Sequence, residues 1–484
     1  MQPITKNIFI NTAFCSTLGW RLRNGKIRTE FSPGELFRME QGEEIGRLAR
    51  ERYPDGIFVN ELRSVAAARR TRDLLKKPQT GVLFEATFLA GNYLARADIL
   101  VRDANSWELI EVKSSIVAKD EFIDDMAYTT LVAQAAGFFP SAISLVLIDK
   151  NYRYGMPPSH LFVKSDMTEH ILAKVEEFKT IADFIDSVSS TPDEPEPQLT
   201  FNCRRCREFA KCLGKEIEAH IFKIPRIRQK AVEQLIASGI TSIHEIPDGF
   251  SLTDNQKCVV DCVKCGKMQI DPDLVKKLAT ISWPACYLDF ETMMTALPLW
   301  PDSAPYEQIP VQYSLHTCER CGKIIRHRDY LADPHRDCRY ELARRLIEDL
   351  KGEGSIITYS SFEKTTISKL SRTFPDLSDD LLALIDRIVD LEQCIKCVNH
   401  PEFCGRTSIK IVLPVLVPDL SYEGLEIADG DTALVTFAMM ALGKMDTGEM
   451  ERKRAALLEY CKMDTLAMVR LHEVLHGFEA GKSD

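Results

Sequence analysis

Long apolar runs are missing from this chain. Nowhere in its 484 residues does a segment approach the ~20 apolar residues of a membrane helix, so no membrane-spanning role is expected. The opening residues, MQPITKNIFINTAF, hold no basic segment followed by an apolar run and a small-residue cleavage site; a cytoplasmic location is the expectation. A positive charge balance is missing too. Lys and Arg number 61 against 71 Asp and Glu, a formal charge of −10. That balance speaks against a protein that coats nucleic acid. It does not speak against an enzyme whose metal sites are themselves acidic and whose basic tracks are local. Three such tracks are residues 21–28 (RLRNGKIR), 69–77 (RRTRDLLKK) and 223–230 (KIPRIRQK), each of which also reads as a solvated face. No internal repeat is found, which removes solenoids and arrays.

What is present is an α/β pattern too long for one core, and two or three domains are expected. Ser32-Pro33-Gly34-Glu35 reads as a helix start, with Ser as N-cap, Pro at the first position and Glu three after the cap. Strands alternate with turns over residues 82–112, a helix follows at 124–136, and a strand at 142–148 completes the unit. The Ser-, Pro- and acid-rich stretch 187–198 reads as a surface linker. Residues 222–280 read as a helical connector, with a helix-hairpin-helix-like DNA contact as the alternative. An apolar strand at 285–288 opens a further α/β domain. The expected division is 1–218, 219–280 and 281–484.

Residues 95–115, ARADILVRDANSWELIEVKSS, carry the first candidate site. Asp98 falls on one strand and Glu111-Val112-Lys113 on the next. Residues two apart on a strand share a face, so Glu111 and Lys113 point together. Two carboxylates and a lysine converging across adjacent strands suit a divalent metal and a water aimed at a phosphodiester. The bland reading is a hairpin with a solvated charged face. This stretch resembles the core of the PD-(D/E)xK nuclease superfamily. That resemblance implies Asp98 and Glu111 as metal ligands and Lys113 as a catalytic partner. Where the family often has a His on its first helix, this chain has Gly46; Glu43, Glu44 and Glu85 are the candidates for an extra ligand, and Tyr128 and Gln134 for the later helix.

Cys203, Cys206 and Cys212, in CRRCREFAKC, are spaced C-x2-C-x5-C. Three thiols so close call for a tetrahedral zinc or an iron–sulfur cluster, with Cys15 as the fourth ligand. The split arrangement resembles the iron–sulfur PD-(D/E)xK nucleases, namely the CRISPR-adaptation exonucleases and AddB-type helicase–nuclease subunits. It implies a [4Fe–4S] cluster on Cys15, Cys203, Cys206 and Cys212. The other groups (Cys258, Cys262 and Cys265; Cys318 and Cys321; Cys394, Cys397 and Cys404) read as ordinary thiols, with a zinc ribbon joining 318/321 to 394/397 as the alternative.

In YLDFET, residues 287–292, Asp289 and Glu291 share a strand face. Glu363 stands near the start of a helix in SSFEKTTISKL. Tyr460 and Asp464 are four apart on a strongly periodic helix and so are neighbours. This ordered set resembles the DEDD exonucleases of the RNase H-like (DnaQ-like) class, in the Y-x3-D variant. The resemblance implies two divalent ions about 4 Å apart, with Asp289, Glu291, Asp464 and Glu363 as ligands and Tyr460 orienting the attacking water. Glu363 replaces the family's Asp. Asp390 and Lys410 are accessory candidates.

The whole chain resembles a bacterial family of uncharacterised proteins that joins an iron–sulfur RecB-like nuclease to a DnaQ-like exonuclease. The expectation is a PD-(D/E)xK restriction-endonuclease-like domain with an Fe–S cluster, a helical connector and an RNase H-like α/β domain. It would act on DNA, on single-stranded ends, with Mg2+ or Mn2+ at both sites and 3′→5′ polarity in the second. The alternatives are a nucleic-acid-binding or assembly subunit with degenerate sites, or an exoribonuclease. No protein partner is legible.

Overall fold

A computed structural model describes residues 2–28, 30–104, 106–215 and 217–479. By packing it falls into two units, Met1–Cys212 with Thr295–Glu307, and Leu213–Met294 with Gln308–Asp484. The segment read as a separate connector therefore packs within the second unit. Both units are mixed α/β.

In the first unit the elements run α1 (Lys6–Phe14), α2 (Ser16–Arg23), α3 (Pro33–Arg50), β1 (Ile57–Phe58), α4 (Ser64–Leu75), β2 (Val82–Ala90), β3 (Tyr93–Asp103), β4 (Ser106–Lys113), α5 (Asp120–Ala135), β5 (Ala142–Ile148), β6 (Phe162–Asp166) and α6 (Thr168–Ser189). The strands form one sheet in chain order. β2, β3 and β4 are antiparallel neighbours, while β4 and β5 are parallel and joined through α5. A parallel pair needs such a crossover, because a tight turn cannot reverse the chain twice. The apolar face of the sheet, with Leu83, Ala97, Leu100, Leu109 and Leu145, packs on Phe9, Met126 and Val175.

The α3 start is a complete capping box: Ser32 accepts from Glu35 N–H, and the Glu35 carboxylate accepts from Ser32 N–H. α5 begins at Asp120, four residues before the expected start. Asp120 and Glu121 occupy its first turn, where acids suit the positive end of the helix. The acidic, Pro-rich stretch is not a free linker. α6 runs on to Ser189, and the following backbone lies along α2. There Thr191 O accepts from Trp20 Nε1 at 2.8 Å, Pro195 O accepts from Thr17 Oγ1 at 3.1 Å, and Glu194 pairs with Arg21.

The second unit runs α7 (Gln229–Ala237), α8 (Asp254–Cys265), β7 (Gln269–Ile270), α9 (Asp273–Leu278), β8 (Ala285–Met293), β9 (Ile309–Arg320), β10 (Lys323–Leu331), α10 (Arg339–Asp349), β11 (Ile356–Thr358), α11 (Phe362–Thr373), α12 (Ser378–Ile385), β12 (Ile388–Asp390), α13 (Glu392–Ile395), β13 (Val398–Asn399), α14 (Ile409–Leu416), α15 (Gly430–Ala441) and α16 (Thr447–Glu479). Its main sheet has the order β10-β9-β8-β11-β12. The first three strands are antiparallel, and β11 and β12 lie parallel to β8. This puts β8 at the centre, and α16 packs across β8 and β9. Side chains fix that crossing: Gln312 Nε2 donates to Leu457 O at 2.8 Å, and the Ser314 and Thr465 hydroxyls meet at 2.9 Å. No helix among the described residues is long and apolar enough to cross a membrane.

Candidate active sites

Asp289 and Glu291 sit on the central strand β8, on the face that meets α16. Across the crossing, Asp464 lies one helical turn beyond Tyr460. Among the described residues, Asp289, Glu291 and Asp464 are the one set of three His, Cys, Asp or Glu residues whose ligand atoms all lie within 4.8 Å of one another. Glu291 and Asp464 are buried and Asp289 is half-buried. Like charges crowded out of water cost free energy unless protons or a cation relieve them. Burial first, then Asp464 and Glu291, hold the Asp289 carboxyl well above the usual carboxylate range. Glu291 is raised in the same way, by burial and Asp464, with Lys410 opposing. Burial pushes Asp464 up to about 6 against the stabilising contacts of Tyr422, Lys410 and Tyr460.

Glu363, in the first turn of α11, is buried, and its field reaches both Asp289 and Glu291. Its own carboxyl is pushed up to about 7, chiefly by burial. Glu363 Oε2 is buried with no hydrogen-bond partner, an acceptor left open beside three other acids. Asp390 lies near Glu363 and adds to the rise of its pKa, while its own oxygens accept from Glu392 N–H at 2.9 Å and Gln393 Nε2 at 3.0 Å. Lys410 does reach the site. Its Nζ lies 5.2 Å from the Tyr460 ring centroid and 5.4 Å from that of Tyr422.

Two contributors escaped the sequence reading. Tyr422, on the loop after α14, donates its hydroxyl to Asp464 Oδ1 at 2.5 Å. Cys461, fully buried, places its thiol 3.5 Å from Asp289 Oδ2. Cys461 lies next to Tyr460, and the i+3 step to Asp464 was there to be read. No periodic signal marks Tyr422.

In the first unit, Asp98 on β3 and Glu111 on β4 fall at adjoining positions, since Ile99 pairs with Ile110. Asp98 Oδ2 accepts from Val112 N–H at 2.8 Å. Burial, then Glu111, pushes the Asp98 carboxyl up to about 8. Lys113 Nζ donates to Glu111 Oε1 at 3.0 Å and to Asp125 Oδ2 at 2.7 Å. Burial works against its charge, but those two carboxylates outweigh it and raise its pKa. Asp125 on α5 was not foreseen; it also pairs with Lys6 at 2.9 Å. Glu111 Oε2, like Glu363 Oε2, is buried without a hydrogen-bond partner.

Glu85 also converges here. It lies between the register pairs Phe84–Ile99 and Ala86–Ala97, opposite Asp98, and its φ is +56° inside a strand. A non-glycine residue is held in that left-handed region only when its surroundings insist. Arg50 stands 3.8 Å from its carboxylate. The other candidates do not join: Glu43 is exposed, and Glu44 pairs with Arg47. Tyr128 is fully buried in the core, its hydroxyl donating to Ile4 O and Leu94 O.

The four cysteines of the expected cluster gather at one place. Cys15 is the junction of α1 and α2. The Cys206 thiol is raised by burial and by the proximity of Cys15, Cys203 and Cys212. Asn202 Nδ2 donates to Phe14 O at 3.2 Å, fastening the late loop to the early helices. Elsewhere, Lys277 Nζ approaches Cys397 Sγ at 3.2 Å, Cys318 is buried within β9, and burial followed by the proximity of Cys265 and Cys404 raises the Cys262 thiol.

Residues 286–408 match a family described as a domain of unknown function, DUF2779. Two uncharacterised relatives are similar to the chain. The MG366 homolog of Mycoplasma pneumoniae is 24% identical over 214 residues, 40% of this chain and 32% of its own length. MG366 of Mycoplasma genitalium is 22% identical over 207 residues, 38% of this chain and 31% of its own. The chain thus spans about a third of the length of these curated relatives. Among solved structures, an alkaline exonuclease from Laribacter hongkongensis covers 38% of this chain and 91% of its own, at 15% identity and a TM-score of 0.22, too slight a likeness to carry an argument.

Proposed function

We propose that the protein is a metal-dependent nuclease that hydrolyses DNA phosphodiester bonds, with a 3′→5′ exonuclease site in the second unit and a RecB-like nuclease site in the first. The observation that carries this reading is the convergence of Asp289, Glu291 and Asp464 within 4.8 Å of one another, from β8 and α16. Glu363 joins them with an unsatisfied oxygen. So many carboxyls packed together out of water fit a divalent cation, and Mg2+ or Mn2+ is the class their oxygens suit. Such ions, when bound, offset the charge that builds on the phosphate as the bond is broken.

The chain's own residues do the rest. Asp289, Glu291, Asp464 and Glu363 would hold the cations, Tyr460 would orient the attacking water, and exposed Lys410 would meet the approaching phosphate. A mixed sheet with its acids on the central strand supports the RNase H-like reading. In the first unit, Asp98, Glu111 and Glu85 form the cation-holding face, and Lys113 is kept charged beside it by Glu111 and Asp125. Cys15, Cys203, Cys206 and Cys212 would hold a [4Fe–4S] cluster joining the ends of that unit, a reading supported by the approach of Cys15, Cys203 and Cys212 to Cys206.

End-labelled single-stranded DNA and RNA, incubated with Mg2+ or Mn2+, test the reading. Shortening from the 3′ end is expected, and Asp289→Ala or Asp464→Ala should reduce it at least about 100-fold. Unchanged digestion in both variants would discard the second-unit site. A second reading, in which the first unit binds nucleic acid without cutting it, is favoured by Gly46: no side chain stands where the family's helix brings its extra ligand.

A further inference from the structure

Asp464 is gripped by more than the helix that carries it. Tyr422 comes from a separate element, 42 residues away in sequence, and gives its hydroxyl to Asp464 Oδ1 at 2.5 Å. The loop that brings it is itself tied down. Lys410 Nζ donates to Ala428 O at 2.7 Å, bridging the first turn of α14 to the far end of the loop. The Tyr422 and Tyr460 rings lie 6.0 Å apart, tilted at 49°, and the Lys410 ammonium sits within cation–π range of both. Tyr422 is half-buried, so its hydroxyl is a placed donor and not a surface ornament.

A carboxylate free to turn about its last bond presents either oxygen, in any plane, to a cation. A donor fixed to one oxygen removes that freedom and leaves the other oxygen aimed. Groups of this kind, which touch a ligand and not the ion, commonly tune metal affinity 10- to 100-fold. Resting on the metal-dependent reading above, we propose that Tyr422 is a positioning residue that sets the Asp464 carboxylate for a divalent cation, a role distinct from that of Tyr460. Tyr460 shares a helix with Asp464 and moves with it. Tyr422 ties Asp464 to a second element, so metal affinity depends on the loop's being docked.

The test is Mn2+ binding to the full-length protein, read by isothermal titration and by the electron paramagnetic resonance signal of free Mn2+. Tyr422→Phe keeps the ring and the fold but removes the donor; its affinity for Mn2+ is expected to fall about 10-fold. A purely structural hydroxyl would lower the melting temperature and leave the Mn2+ titration unmoved. Wild-type affinity in Tyr422→Phe overturns the proposal while leaving the nuclease reading intact. If the wild type itself binds no Mn2+, the nuclease reading falls, and this proposal with it.

Discussion

Asp98 shows how a single carboxyl reports on its site. Its pKa of about 8, raised first by burial and then by Glu111, stands far above the usual ~4 of an unfolded chain. The folded state therefore binds this proton more tightly than the unfolded one. Its contribution to stability is full below pH ~4 and is lost as pH climbs toward 8. Asp98→Asn keeps an oxygen for Val112 N–H but cannot ionise. In metal-free buffer the Asn variant should gain on the wild type as pH rises from about 5 to 8, by roughly 3–4 kcal/mol at about 1.4 kcal/mol per pH unit. Mn2+ should reverse the ranking at pH 8. Urea denaturation with and without chelator measures both, and parallel pH curves would contradict the assignment. Glu111 with Lys113, Asp289 with Glu291, and Tyr460 with Asp464 were legible as shared faces because strands repeat every two residues and helices every three to four; that these groups meet others was implied only by the resemblance. Asp125 and Tyr422 were not: each reaches its partner through tertiary packing that no local period records.

At the scale of elements, the strands at 142–148 and the α3 capping box were read to the residue. Apolar periodicity and capping chemistry are local properties, and both are written in short windows. The start of α5 and the course of residues 191–198 were misjudged, since the first depended on acids at a helix end and the second on donors from α2. The twist in β2 at Glu85 had no sequence signal at all. Its φ of +56° suits glycine far better than any L residue. Glu85→Gly should therefore be more stable than Glu85→Ala by about 1 kcal/mol, while both lose the carboxylate and any activity that needs it. Thermal melts rank the two variants, and an Ala variant equal to Gly would show that the conformation costs nothing.

For the molecule as a whole, the mixed α/β character was legible in the sequence, because each packing unit carries its own strand–helix alternation. The packing boundary did not follow: residues 219–280 lack a sheet of their own beyond the short β7–β13 pair and belong with the second unit. Anaerobically purified protein is expected to be brown and to carry about four irons per chain; colourless, iron-free protein from such a preparation would remove the cluster.

The meeting of Cys15 with Cys203, Cys206 and Cys212 carries a further implication. Arg204, Arg205 and Arg207 are interleaved with those thiols, so a protease that cuts after arginine finds its targets inside the clasp. If the proposed cluster fastens this cuff, air exposure that strips its iron should unbutton it. Trypsin would then nick the chain there first, and oxygen-free samples would resist. A digestion pattern indifferent to oxygen would mean that the buttons hold nothing.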